Sequence, residues 1–174
     1  MVIRNSVAYL NGILPDGTVG GNGNGFKMGG SNMPGGHSLI DSYAFFNRSK
    51  GIDANSCPDL IVENCVSYNN QRYNVAFYTN IEQDTAYQAQ NLISFKDASI
   101  PGGDPSEGDE LKPRGAQKES AYLNDACYYW NGAIAVNAAG DQITAEDFVS
   151  LEFTCVERNA DGSINLNGFL ELKK

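Results

Sequence analysis

Asn5-Ser-Val-Ala-Tyr-Leu-Asn11, Asp41-Ser-Tyr-Ala-Phe-Phe-Asn47, Asn64-Cys-Val-Ser-Tyr-Asn-Asn70 and Asn91-Leu-Ile-Ser-Phe-Lys-Asp97 are four copies of one seven-residue phrase. Each opens on Asn or Asp, carries a small residue fourth and an aromatic fifth (Tyr9, Phe45, Tyr68, Phe95), and closes on Asn or Asp. The copies start 36, 23 and 27 residues apart. Intervals just above twenty residues, with Asn at constant phase and β-forming segments between, predict the turns of a solenoid.

Working outward, Ile3, Leu39, Val62 and Ala89 stand two residues before the opening Asn or Asp, and Arg4, Ile40, Glu63 and Gln90 follow them. Period-two alternation turns the first set inward and most of the second outward. A second short strand follows each closing Asn in the first three copies: Gly25-Phe-Lys-Met28, Gly51-Ile-Asp-Ala54 and Asn74-Val-Ala-Phe77. Here Phe26, Ile52 and Val75 are expected inside, with Met28, Ala54 and Phe77. Lys27, Asp53 and Ala76 are expected to face solvent on one exterior sheet. Parallel stacking would set equivalent residues about 4.8 Å apart in ladders. Asn suits the bends, because it tolerates left-handed backbone and its amide can bond the turns above and below. The repeated Asn and aromatic residues are therefore read as structural.

The fold class expected is all-β, a parallel β-helix over residues 1–100, with residues 101–174 forming a loop and mixed tail that packs on or caps it. The stretch Pro101 to Lys118 has turn formers, acid and no periodicity, and predicts a long surface loop. Tyr122 to Trp130 is aromatic enough to pack on the solenoid's open end. Short strands are expected at 133–136 and 169–172, a turn at 159–163, and a helical turn after Thr144 with Asp147 completing its cap. A solenoid needs capped ends, and no cap is legible upstream of Val2. The chain is accordingly expected to be the C-terminal portion of a longer solenoid, truncated on its N-terminal side, with upstream coils of the same solenoid as its missing partner.

Net charge is −9, which argues against a nucleic-acid partner and against attraction to anionic membrane. No apolar stretch spans a bilayer and no signal-peptide pattern opens the chain. Cys57, Cys65, Cys127 and Cys155 are sparse for a disulfide scaffold and contain no CxxC pair, so a zinc site is not expected. Cys65 replaces Ser6 and Ser42 at the second position of the phrase, which reads as a buried thiol.

An insertion from Gly12 to Asn24 delivers the chain to Gly25-Phe-Lys-Met-Gly-Gly30. Lys27 points outward among glycines that would let a polymer approach closely. A lone surface lysine is usually just a solubilising charge, and spacing alone favours that reading. No Gly-Lys-Ser/Thr ending and no following helix supports a phosphate loop.

Taken together, Gly23-Asn-Gly-Phe-Lys-Met-Gly-Gly30, His37, and the phrases from Asp41 to Asn70 resemble polysaccharide lyase family 9. The tail from Phe148 to Leu170 is similar to the segment following many pectate-lyase helices. The resemblance implies a right-handed parallel β-helix, secretion, and calcium-dependent β-elimination of polygalacturonate. In that reaction the proton on C5 of a uronate is removed and the 4-oxygen leaves. It implies Lys27 as the proton-abstracting base, with Asn24 and Asp53 as substrate-binding residues. A lysine base must be neutral to take a proton, and Asp53 on the next turn would favour the charged amine. The family's calcium aspartates precede the lysine motif, where this chain has only Asp16. One carboxylate cannot build the oxygen-rich site calcium needs, and Asp41, Asp53, Asp59 and Glu63 offer at most accidental ligation. No metal residues are therefore assigned, and the chain alone is expected to be inactive.

Two other readings stay open at this stage. One is a non-catalytic carbohydrate-binding or adhesive β-helix module. The other is a glycoside hydrolase, whose inverting form needs two carboxyl groups roughly 6.5 to 9.5 Å apart, conceivably Asp53 with Asp41 or Glu63. Fold alone does not choose between them.

Overall fold

A computed structural model describes residues 1–79, 84–99, 104–112 and 121–173. In chain order its strands are β1 (Val2–Arg4), β2 (Val7–Tyr9), β3 (Phe26–Lys27), β4 (Ser38–Ile40), β5 (Tyr43–Phe45), β6 (Ile52–Asp53), β7 (Ile61–Tyr68), β8 (Val75–Tyr78) and β9 (Gln88–Phe95). They continue as β10 (Glu110–Lys112), β11 (Tyr129–Trp130), β12 (Ala135–Val136), β13 (Gln142–Ile143), β14 (Glu157–Arg158) and β15 (Ile164–Asn165). Strands β1 to β10 pair only in parallel, turn upon turn, in the coil of a right-handed parallel β-helix.

The register matches the repeat. Ile3 pairs with Leu39, Leu39 with Val62, and Val62 with Ala89. Leu39 and Val62 are fully buried within the coil. The opening residue of each phrase, Asn5, Asp41, Asn64 or Asn91, has φ of 48°, 48°, 51° or 50°. That left-handed residue bends the chain between two strands, a conformation Asn and Asp tolerate better than other side chains. Their side chains also link turns on the outside, Asn64 donating to Asp41 across 3.0 Å and Asn91 to Asn64 across 2.9 Å. Two of the closing asparagines, Asn47 and Asn70, go inward, as does Asn74 ahead of the next strand. All three are fully buried, and the Asn47 amide donates to Asn70 Oδ1 at 2.8 Å while Asn70 donates to Asn74 Oδ1 at 3.0 Å. Buried amides are tolerable because they satisfy each other.

Two apolar cores result from the alternation within the phrase. The small residues Ala8, Ala44, Ser67 and Ser94 point into the coil, where Phe26, Met28, Ile52, Val75 and Phe77 also lie. The fifth-position aromatics point out and form a second core beneath the tail. Tyr9 stacks on Phe45 with centroids 5.3 Å apart, and Tyr68 on Phe95 at 6.2 Å. Trp130, Phe148, Phe153 and Phe169 cover them. The tail thus runs back along the flank of the coil, reaching Asn5 through an Arg158 hydrogen bond to its carbonyl. Tyr122 and Tyr129 pack against Phe77, and Tyr87 packs against both Phe77 and Tyr122.

Several local expectations need correction. Residues 110–112, expected within the surface loop, are strand β10 and pair with β8. The rest of that loop at 101–103 and 113–118 lies outside the described residues. The segment 121–128 adds another partial turn, Gln88 bridging Ala121 and Ile93 bridging Tyr128. The helical turn expected after Thr144 is present, as a single 3-10 turn, Ala145–Asp147, capped by Thr144 with Asp147 Oδ2 accepting from the Thr144 N–H at 2.7 Å. No strand forms at 169–172, which makes only single bridges to Ser150 and Phe148. The turn at 159–163 is flanked instead by the hairpin of β14 and β15.

Candidate functional site

The four-stranded sheet of the coil, in the order β10-β8-β6-β3, carries the candidate residues. Phe26, Ile52 and Val75 alternate inward, so the next position of each strand points out. That row is Lys27, Asp53, Ala76 and Glu110, each in register with the next. Lys27 is exposed, as the alternation predicts. Asp53 and Ala76 are not: at 2% and 0% exposed they are covered, because other side chains lie over the outer face. Burying a carboxylate requires partners.

Asp53 has them on both oxygens. Its Oδ1 accepts from the Lys50 amine at 3.3 Å and from the Asn55 N–H at 3.0 Å, and its Oδ2 from the Asn24 amide at 2.9 Å. Asn24 is half-buried and its own oxygen accepts from the Lys50 N–H at 3.3 Å. The three candidate residues therefore share one neighbourhood, with Asn24 and Asp53 joined directly and Lys27 beside them. Lys50 also reaches Glu110 at 3.2 Å and lies 4.3 Å from the Tyr78 ring centre, and Glu110 accepts from Lys112 at 2.9 Å. Burial acts to lower the Lys50 pKa, but Asp53 and Glu110 outweigh it and hold the amine above the ordinary lysine value. None of the ion pairs among the described residues includes Lys27.

Lys50 and Glu110 escaped the sequence reading. Lys50 lies in the turn before β6, and its role shows only once β10 supplies Glu110 from 60 residues away. The glycines around Lys27 also act differently from the expectation. A Cβ on Gly25 would stand 2.5 Å from the Gly51 carbonyl, and one on Gly29 would stand 2.2 Å from the Cys57 Cβ. Both glycines admit the neighbouring turn of the coil, so their bareness is filled by the protein itself.

Calcium is not matched by these residues. Among the described residues no group of three or more His, Cys, Asp or Glu side chains is placed to hold a metal ion. Asp53 and Glu110, the carboxylates of the row, are both engaged by Lys50. Asp41 sits on the bend ladder with Asn64, and Asp59 accepts from the Gly35 and Gly36 N–H groups at 2.9 and 2.8 Å. All four cysteines are free thiols; Cys65 is buried and donates to the Glu63 carbonyl at 3.2 Å, in keeping with its place in the phrase. No helix of the described residues is long and apolar enough to cross a membrane.

Comparison with known proteins agrees with the architecture and with the family resemblance. Over residues 1–91 the chain matches a family model described as the Pel9A-like right-handed β-helix region. It is 35% identical over 177 residues to pectate lyase L of Paenibacillus polymyxa (strain SC2), covering 100% of this chain and 35% of that protein. It is 32% identical over 153 residues to pectate lyase L of Thermoclostridium stercorarium, covering 86% of this chain and 11% of that one. The crystal structure of pectate lyase Pel9A superposes with a TM-score of 0.61 at 28% identity, over 99% of this chain and 38% of that chain. The chain spans about a third, or less, of the length of these relatives. With its coil, its aromatic ladder and its matched first 91 residues, the chain belongs to the Pel9A-like right-handed β-helix family.

Proposed function

We propose that this chain is the portion of a polygalacturonate lyase that carries the catalytic base, and that the base is Lys27. The observation that carries the reading is the outer row itself. Lys27 is the exposed amine at its edge, joined to no carboxylate among the described residues, while its neighbour Asp53 is fully engaged elsewhere. The amine in its neutral form would accept the proton from C5 of a uronate, after which the 4-oxygen departs with the bonding electrons and a 4,5-double bond forms. Asn24, with its side chain on Asp53, would hold the neighbouring sugar hydroxyl or carboxylate at the edge of that cluster.

Calcium, which the family resemblance implies, finds no fitting donor set among the described residues. Its carboxylates would come from outside the described residues, and turnover by the 174-residue chain alone is not expected. Secretion belongs to the same proposal, since the relatives are pectate lyases.

Absorbance of the unsaturated uronide on polygalacturonate tests the reading, using this chain and a form extended to the length of its relatives, each with and without calcium. Product from the extended form alone is the expected result. Binding of polygalacturonate without product in either form, with the coil intact, would establish the carbohydrate-binding alternative instead.

A further inference from the structure

Lys27 and Asp53 stand opposite each other on adjacent strands. At that separation, about 4.8 Å between strands, a lysine and an aspartate left alone would form an ion pair. They do not: Asp53 is taken instead by the Lys50 amine, the Asn55 N–H and the Asn24 amide, and of these only Lys50 carries charge. Its amine lies 3.3 Å from Asp53 and 3.2 Å from Glu110, two carboxylates separated in the row by Ala76. The Ala76 side chain is too short to fill the position between them, and it is fully buried. Tyr78 on β8 faces the Lys50 amine at 4.3 Å, Tyr73 at 5.8 Å, and Lys112 on β10 holds Glu110 from the other side. Ahead of β3, Asn24 donates to the remaining Asp53 oxygen, and the Asn55 N–H shares the first with Lys50.

We propose that Lys50 is a positioning residue: by holding Asp53 and Glu110 together it keeps Asp53 away from Lys27, which has no carboxylate partner among the described residues. The inference rests on the reading of Lys27 as the base, but it concerns only the state of that amine. Without Lys50, Asp53 would turn to its in-register neighbour and favour the charged ammonium.

The test is the acylation rate of individual lysines by a water-soluble activated ester at fixed pH, read by peptide mass spectrometry with Lys173 as internal standard. It needs neither substrate nor turnover. In Lys50→Met the rate at Lys27 should fall by about an order of magnitude, the scale on which a new carboxylate neighbour favours the charged form. Lys50→Arg should keep the parent rate, and K50M/D53N should restore it. Where K50M alone fails to fold, K50M/E110Q removes the carboxylate left unpaired and should still slow Lys27. An unchanged Lys27 rate in whichever of these folds, or no recovery on adding D53N, overturns the inference. Failure of the reading of Lys27 as the base would be seen separately, as turnover that survives loss of Lys27 in the extended form.

Discussion

Lys50 donates to Asp53 across 3.3 Å, with only 12% and 3% of the two side chains exposed. A pair so enclosed responds to pH through its partners. Burial raises the Glu110 pKa, yet the Lys112 hydrogen bond and the Lys50 charge bring it below the ordinary 4.5. Lys50 sits above its ordinary 10.5, as its two carboxylates overcome burial. A lowered acid contributes stability that is complete above its unfolded value and is lost as pH falls through the folded one. A raised base contributes stability that is complete below its unfolded value and is lost as pH rises through the folded one. Urea midpoints should therefore fall below about pH 4.5 and above about pH 10.5. Glu110→Gln should shrink the acid-side loss; an identical acid limb in that variant contradicts the assignment.

The asparagine ladder should be worth more than any single exposed bond. Asn70 accepts from the Asn47 N–H and amide at 3.1 and 2.8 Å and donates to Ala44, Ser67 and Asn74 at 3.1, 3.0 and 3.0 Å. Asn70→Ala leaves several buried groups without partners and should cost roughly 3 kcal/mol by urea unfolding. Asn70→Asp keeps the shape but loses both amide donors and buries charge, so it should be no milder. A neutral result for either variant would mean that water replaces the ladder.

Glycine at position 29 tests whether bare backbone near Lys27 serves packing or polymer access. Gly29→Ala should lower stability by about 2 kcal/mol, since its new Cβ collides with that of Cys57. Cys57→Gly should relieve most of that loss. Unchanged stability with weakened polygalacturonate binding would favour the access explanation.

The tail is predicted to be integral to the coil. Phe169, 2% exposed, touches Phe45, Phe46, Tyr68 and Phe153. Phe169→Ala should cost about 3 to 5 kcal/mol and lower the near-ultraviolet dichroism of the aromatic ladder. Loss of tail signals while the coil's unfolding midpoint stays fixed would show that the two are independent.

The coil was legible because its signal is local and repeated. Leu39, Val62 and Ala89 fall into one ladder from spacing alone, and the left-handed Asn bends occur where the phrase puts them. Alternation also found Lys27 on the outer row. It could not say what lies over that row, because Lys50 folds back from a turn and Glu110 arrives after a long interruption of the period. Asp53 therefore looked exposed and proved buried. The outward aromatics were recognised as structural, but the partners that bury them, Phe153 and Phe169, lie more than seventy residues beyond Phe45 and Tyr68 and show no period of their own.

Turnover of polygalacturonate by the extended form with Lys27→Ala, followed by unsaturated-uronide absorbance alongside a binding isotherm, bears most directly on the proposed role of this amine. Loss of a positioned base should reduce kcat by about 10² to 10⁴ while binding stays near the parent value. Product formation at the parent rate would contradict it.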